Sequence, residues 1–132
     1  MKITKLFSVL LIFAMLILGL AACGDKADKL TYEQISAKEA KELMDNEKDY
    51  IIIDARTEEE FAEGHIEGAI LIPEYEIEER AESMLPDKDA LILVYCRSGR
   101  RSKIASAALV KLGYTNVKEF GGIIDWPYEI VK

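Results

Sequence analysis

Apolar residues along the chain form short runs separated by segments with helical spacing. Five strands are predicted from these runs, at residues 32–35, 50–53, 69–72, 90–95 and 117–120. The run at 50–53 shows no polar alternation, which is typical of a strand covered on both faces of a parallel sheet. Helices are predicted between the strands, at residues 37–46, 75–84 and 102–112, with a brief helix through Phe61 that stops at Gly64. This alternation predicts an α/β fold with a central parallel sheet and helices on both faces.

Short polar signals mark the ends of the predicted helices. Ser36 with Glu39, and Thr57 with Glu60, form Ser/Thr-x-x-Glu patterns that are typical of a capped first helical turn. Gly113 stands where a left-handed residue ends a helix. In the last helix, apolar residues recur at helical spacing, at Ile104, Ala107, Ala108 and Leu112.

The first 22 residues have the pattern of an export signal. Two lysines precede an apolar run over residues 6–20, which is shorter than the roughly 20 residues of a membrane-spanning helix. Residues 20–24 (LAACG) resemble the lipobox of bacterial lipoproteins, in which the cysteine receives the lipid. We therefore expect residues 1–22 to be a lipoprotein signal peptide, with a retained membrane anchor as the alternative. Cys23 would then be lipidated, which implies a location on the extracytoplasmic face of the cell membrane.

After this signal, residues 23–29 are expected to form the lipidated cysteine and a flexible tether, and residues 30–132 a single domain. The chain is acidic, with a formal net charge of -7. This charge argues against nucleic acid as a partner, and membrane attachment is expected through the lipid rather than a basic patch. One histidine and two cysteines are too few for a zinc or transition-metal site. A monomer is expected.

The loop that follows the strand at 90–95 is the expected reactive site, because ligands bind beyond the carboxyl ends of parallel strands. The loop begins with Cys96. A cysteine between a strand and a helix N-terminus meets unpaired amides and the positive end of the helix dipole, which stabilise the thiolate. Gly99 allows the amides to turn inward, and Ser102 is expected to cap the next helix. Three arginines mark a local anion site, namely Arg97, Arg100 and Arg101.

Residues 96–102 (CRSGRRS) resemble the C-x-x-G-x-R-S loop of rhodanese domains. Three further segments resemble other motifs of this family and occur in the family's order. They are residues 54–56 (DAR) for D-x-R, 64–69 (GHIEGA) for G-H-I-x-G-A, and 121–126 (GGIIDW) for G-G-x-x-x-W. The resemblance covers residues 30–132 and implies the rhodanese-like three-layer fold and a sulfurtransferase activity.

The resemblance also implies roles for individual residues. Cys96 would be the nucleophile that takes sulfur from thiosulfate or another small anionic donor, and would hold it as a covalent persulfide with no other cofactor. The acceptor would be a thiol or cyanide. Residues 97–102 would bind the donor, namely Arg97, Ser98, Gly99, Arg100, Arg101 and Ser102; Arg101 matches the fixed arginine of the family. A supporting role in the framework is expected for Asp54, Arg56, His65 and Trp126.

Two other functions compete with sulfur transfer. Phosphatases and arsenate reductases also use an anion loop that begins with cysteine, but their C-x5-R pattern would require arginine at position 102, where this chain has Ser102. The shorter loop fits a single persulfide sulfur better than a tetrahedral oxyanion. The second alternative is a membrane-tethered persulfide carrier, which would use the same chemistry at Cys96 without catalytic turnover.

Overall fold

The computed structural model of the protein describes residues 31–132. The predicted signal peptide, the expected lipidation site at Cys23 and the predicted tether lie outside the described residues. Within residues 31–132, no helix has both the length and the apolar character needed to cross a membrane.

The sheet contains five parallel strands in the order β1-β5-β4-β2-β3. The strands are β1 (Glu33–Gln34), β2 (Ile51–Asp54), β3 (Ile70–Leu71), β4 (Ile92–Cys96) and β5 (Val117–Gly122). All residues of the central strand β4 are buried. This strand therefore ends in the middle of the sheet's carboxyl edge, and its last residue is Cys96.

Four α-helices connect the strands, namely α1 (Ala37–Asn46), α2 (Glu58–Glu63), α3 (Ile77–Met84) and α4 (Arg100–Lys111). Both predicted capping boxes are confirmed. The Ser36 hydroxyl accepts a hydrogen bond from the Glu39 amide, and the Thr57 hydroxyl accepts one from the Glu60 amide. The helix predicted at 75–84 begins instead as a 3-10 turn (Glu74–Glu76) that passes into α3.

Neighbouring residues of each strand point to opposite faces of the sheet, and each face has its own core. On one face, Ile53 belongs to a cluster with Leu109 of α4 and residues of α3. On the other face, Ile52 belongs to a cluster with Ala40 of α1. Helices thus cover both faces, and the predicted three-layer arrangement is confirmed.

Helix α4 begins two residues earlier than predicted, and the expected cap at Ser102 is wrong. Gly99 is the N-cap residue, with a left-handed φ of 109° and no side-chain cap. A glycine adopts this conformation without strain, so the chain enters the helix directly from the reactive loop. Ser102 lies inside the first turn, where its side chain is free to make other hydrogen bonds.

The apolar pattern of α4 coincides only in part with the buried face of the helix, since Ala108 and Leu112 are partly buried and pack against the core. Ile104 is 43% exposed, and Ala107 is exposed as well. The buried positions are Ser102, Ala105, Ser106 and Leu109. Two of these four residues are serines, so a search for apolar spacing misses the helix face that meets the sheet.

This assignment of the α4 face leads to a stability test. Leu109→Ala should lower the free energy of unfolding by about 2 to 5 kcal/mol, because it leaves a cavity at a fully buried position. The matched variant Ile104→Ala, on the exposed side of the same helix, should cost at most about 1 kcal/mol. Urea denaturation followed by circular dichroism measures both values. A larger loss for Ile104→Ala would contradict the observed orientation of the helix.

Candidate active site

The sulfur of Cys96 lies inside the turn formed by the following residues. Cys96 is fully buried, and its Sγ accepts a hydrogen bond from the backbone amide of Gly99 at 3.0 Å. The left-handed conformation of Gly99 turns this amide back towards the end of β4. The loop therefore supplies a donor that stabilises negative charge on the sulfur.

The end of β5 supports this loop through direct contact between backbones. Gly122 pairs with Cys96 in the sheet, and the amide of Ile124 donates a hydrogen bond to the carbonyl of Arg97 at 3.2 Å. A Cβ atom at Gly122 would lie 2.0 Å from the Arg97 carbonyl oxygen and 2.6 Å from the Cα of Ser98. Only glycine fits at this position without moving the loop.

The three arginines of the loop differ in their surroundings. Arg97 and Arg100 are exposed, as is Ser98. The Arg101 guanidinium instead donates two hydrogen bonds to the carboxylate of Glu60, at 2.6 Å and 2.9 Å. The structure therefore leaves two guanidinium groups at the surface near Cys96 and holds the third against α2.

The ion pair with Arg101 changes the titration of Glu60. The hydrogen bond from Arg101 lowers the pKa of Glu60 from 4.5 to about 2, against the opposing effect of partial burial. The same contact raises the pKa of Arg101. Glu60 also completes the capping box of α2, so a single carboxylate connects that helix to the first turn of α4. The sequence alone identified Glu60 only as a helix cap.

Asp54 and Arg56 form a buried pair behind the loop. Arg56 donates to both carboxylate oxygens of Asp54, and its guanidinium also donates to the carbonyl of Gly64 at 2.6 Å. The Tyr95 hydroxyl donates to Asp54 at 2.7 Å and accepts from the amide of Ile66 at 3.1 Å. Burial, followed by the charge of Asp54, raises the pKa of Tyr95. These contacts join the end of β2, the 64–69 segment and the residue before Cys96.

His65 and Trp126 make packing contacts instead. The ring of His65 stacks on Phe61 with centroids 3.7 Å apart, and its Nδ1 lies 2.9 Å from the Phe61 carbonyl oxygen. Trp126 packs against Phe120 and Tyr128, with ring centroids 5.5 Å and 4.9 Å apart. Neither side chain is among the hydrogen-bond partners of the Cys96 sulfur.

Glu119 is a buried acidic residue that the sequence analysis did not single out. Its side chain is only 3% exposed although it lies within β5. Its Oε1 accepts hydrogen bonds from the Ser102 hydroxyl at 2.6 Å and from the Gly121 amide at 2.8 Å. The Ser102 oxygen is in turn 3.3 Å from the Cys96 sulfur. The available signal was a glutamate inside a predicted strand of a sheet that was expected to carry helices on both faces.

Among residues 31–132, no group of three or more histidine, cysteine or carboxylate side chains is arranged to hold a metal ion. The polar groups that meet Cys96 are a backbone amide and a serine hydroxyl. This set of contacts suits an anionic sulfur rather than a bound cation.

Comparison with known proteins identifies relatives of the chain. The sequence-family model of the rhodanese-like domain matches residues 36–127 of this chain. Thiosulfate sulfurtransferase PspE of Escherichia coli is 42% identical over 80 residues, covering 61% of this chain and 77% of that protein. Adenylyltransferase and sulfurtransferase UBA4 of Candida albicans is 34% identical over 104 residues, which cover 74% of this chain and only 24% of that protein.

The solved structures agree with these relatives. A rhodanese from E. coli, solved with anions, superposes with a TM-score of 0.59 at 40% identity, covering 63% of this chain and 98% of that one. This similarity confirms the fold class predicted from the alternating strands and helices.

The Glu60–Arg101 pair makes a pH-dependent contribution to stability. Because the pKa of Glu60 is lowered from 4.5 to about 2, the contribution is present above pH 4.5 and is lost as the pH falls towards 2. Glu60→Gln should therefore be less stable than the wild type at neutral pH, by about 1 kcal/mol for a partly exposed pair, and the difference should shrink in acid. Urea denaturation at several pH values measures this difference.

The matched control is Glu63→Gln, on the same short helix. Glu63 is exposed, and within residues 31–132 it forms no ion pair. Its substitution should change stability little at any pH. An equal, pH-independent loss for both variants would contradict the assigned role of the Arg101 contact.

Proposed function

The chain belongs to the rhodanese-like domain family, and from this premise we propose that it is an enzyme that transfers sulfane sulfur through a persulfide on Cys96. The observation that carries the proposal is the buried sulfur at the end of the central strand, which accepts the Gly99 amide. Two exposed arginines follow it in the chain, Arg97 on the loop and Arg100 at the first position of α4. Relatives named as sulfurtransferases support sulfur transfer in general.

The proposed reaction has two steps. In the first, the thiolate of Cys96 attacks the outer sulfur of thiosulfate, so a sulfur–sulfur bond forms at Sγ while the bond inside the donor breaks. Sulfite leaves with the electron pair, and the enzyme holds a persulfide anion. In the second, cyanide or a thiolate takes the terminal sulfur, and the Cys96 thiolate is regenerated as the leaving group.

The loop supports both anionic states of this cycle. The Gly99 amide is already directed at the sulfur, so its contribution requires no rearrangement during the reaction. We assign attraction of the anionic donor to Arg97 and Arg100, because their charges are exposed in a chain whose net charge is -7. Arg101 acts mainly by fixing the loop against α2, since its guanidinium is engaged by Glu60.

The location of the enzyme is proposed from sequence features alone. Residues 1–22 have the export pattern, and Cys23 is the proposed lipid attachment site. The enzyme would then act as a monomer on the extracytoplasmic face of the cell membrane, with a small sulfur anion as donor, no nucleic-acid partner, and no cofactor other than the persulfide itself.

Sulfur loading is the direct test of this function. Full-length protein incubated with thiosulfate should gain one sulfur atom on Cys96, and Cys96→Ser should gain none. The control Cys23→Ser should still be loaded, since the other cysteine has no part in the proposed chemistry. Intact-mass and peptide mass spectrometry measure the gain. Absence of loading in the wild type would contradict the proposal, and loading without turnover to cyanide would identify a persulfide carrier instead of an enzyme.

Substitution of the exposed arginines tests their role in donor binding. Arg97→Gln and Arg100→Gln should each raise the KM for thiosulfate by about fivefold, equivalent to about 1 kcal/mol for an exposed charge interaction. The effect should diminish at high ionic strength because salt screens exposed charges. Lys111→Gln, at the far end of α4 and also exposed, is the matched control and should leave the KM unchanged. Steady-state kinetics at two salt concentrations decides between these outcomes.

A further inference from the structure

Behind the sulfur of Cys96 lies a chain of hydrogen bonds that the reaction described above does not use. Sγ is 3.3 Å from the Ser102 oxygen, and that oxygen is 2.6 Å from Oε1 of Glu119. Building on the proposed function, we propose that Glu119 accepts the Cys96 proton through the Ser102 hydroxyl. Glu119 is thus a positioning residue that lets the buried sulfur ionise.

The direction of these bonds follows from the number of hydrogens available. The Ser102 hydroxyl carries one hydrogen, and its oxygen lies 2.6 Å from Glu119 Oε1, 3.0 Å from the Gly99 carbonyl and 3.4 Å from the Gly121 carbonyl. The contact with the carboxylate is the shortest and is charge-assisted, so Ser102 donates to Glu119. The thiol of Cys96 then donates to the Ser102 oxygen.

Ionisation reverses both donors without moving a heavy atom. The thiol proton passes to the Ser102 oxygen, while the hydroxyl proton of Ser102 passes to Oε1 of Glu119. The sulfur keeps its electron pair as a thiolate, and Glu119 becomes a neutral carboxylic acid. Ser102 then donates to the sulfur, and Glu119 donates to Ser102. One proton is shared within the site, and the total charge does not change.

Burial of the site is the physical reason why Cys96 and Glu119 share one proton. Cys96 and Ser102 are fully buried, and Glu119 is 3% exposed. Two negative charges this close in a poorly solvated site oppose each other, so formation of the thiolate favours a protonated carboxyl group. Within residues 31–132, no basic side chain forms an ion pair with Glu119 that would hold it permanently ionised.

Other charged groups around the site are already paired or exposed. Arg97 on the loop and Arg100 and Lys103 on α4 are exposed. Lys111 of α4 and three acids of α2 are also exposed, namely Glu58, Glu59 and Glu63. The other charges of the adjoining elements form ion pairs, namely Asp54–Arg56, Glu60–Arg101 between α2 and α4, and Glu33–Lys118 between β1 and β5. Glu119 is therefore the carboxylate left to exchange a proton with Cys96.

The same proton serves the whole reaction cycle. While the sulfur exists as a thiolate, and later as a persulfide anion, the proton stays on Glu119. When the acceptor removes the terminal sulfur, the regenerated thiolate can recover the proton from Glu119 through Ser102. Over the pH range in which the pair holds one proton, the site therefore does not hold an anionic sulfur and an ionised Glu119 together.

The pH profile of Cys96 alkylation tests the inference. Iodoacetamide, a neutral reagent, is applied to the full-length chain in a Cys23→Ser background, so that a single thiol reacts. A shared proton predicts a rate that rises in two steps with pH, separated by a plateau over which the pair holds one proton. Glu119→Gln cannot accept the proton, so its profile should contract to one step.

Two serine variants on the same face of α4 form a matched pair. Ser102→Ala removes the link while keeping the carboxylate, and it should lose the lower step of the profile. Ser106→Ala removes another fully buried serine, whose hydroxyl has no hydrogen-bond partner among residues 31–132, and it should retain both steps. Circular dichroism establishes that each variant is folded before its profile is measured.

One result would overturn the inference. A single step in the wild type that moves to lower pH in Glu119→Gln would mean that Glu119 stays ionised and merely opposes formation of the thiolate. If the variants do not fold, infrared difference spectra of the wild type decide the question. Loading with thiosulfate should produce the carbonyl band of a protonated buried carboxyl group, and its absence would overturn the inference.

Failure of the inference is distinguishable from failure of the proposed function. The alkylation profile requires no sulfur donor, so it reports on the shared proton alone. Sulfur uptake with a one-step wild-type profile would leave sulfur transfer standing without the proton relay. A two-step profile without uptake from thiosulfate would support the relay and reject the proposed activity.

Discussion

The hydrogen bond from the Gly99 amide to the Cys96 sulfur depends on the position of β4 in the centre of the sheet. Because both faces of this strand are covered, its direction is fixed, and its last residue reaches the carboxyl edge with no freedom to turn elsewhere. The left-handed conformation of Gly99 then bends the chain within three residues of the sulfur. The fold thus places the sulfur and its hydrogen-bond donor within one turn of the chain.

Charge around the turn is arranged in complementary pairs despite the acidity of the chain. Asp54 with Arg56, and Glu60 with Arg101, neutralise each other close to the loop. These pairs hold backbone segments together, because Arg56 also binds the Gly64 carbonyl and Glu60 caps α2. The charge left unpaired near the sulfur is therefore cationic at the surface and carboxylate in the interior.

Local signals in the sequence predicted much of this fold, and tertiary contacts explain what it missed. The capping boxes at Ser36 and Thr57 depend on residues three positions apart, so they can be recognised in the sequence. The Glu60–Arg101 pair joins residues 41 positions apart, so no local sequence pattern predicts it.

Side-chain polarity misled the sequence analysis in α4 and β5. Ser102 and Ser106 occupy the buried face of α4, where apolar spacing predicts aliphatic residues. Glu119 was not recognised as a site residue because a strand glutamate is ordinarily solvated, whereas here Ser102 and the Gly121 amide bind its carboxylate. Buried polar residues that form a site together thus interrupt the hydrophobic periodicity by which core positions are recognised in a sequence.

The close approach of Gly122 to the backbone of Arg97 makes the backbone conformation of the loop independent of the loop's side chains. The path of the main chain is set by backbone contact, and the side chains of Arg97, Ser98 and Arg100 extend into solvent. Within the described part of the chain, neither arginine side chain is tied to another residue by an ion pair. Under the proposed function, substitutions at these three positions are therefore expected to alter the choice of donor while the scaffold beneath the loop stays the same.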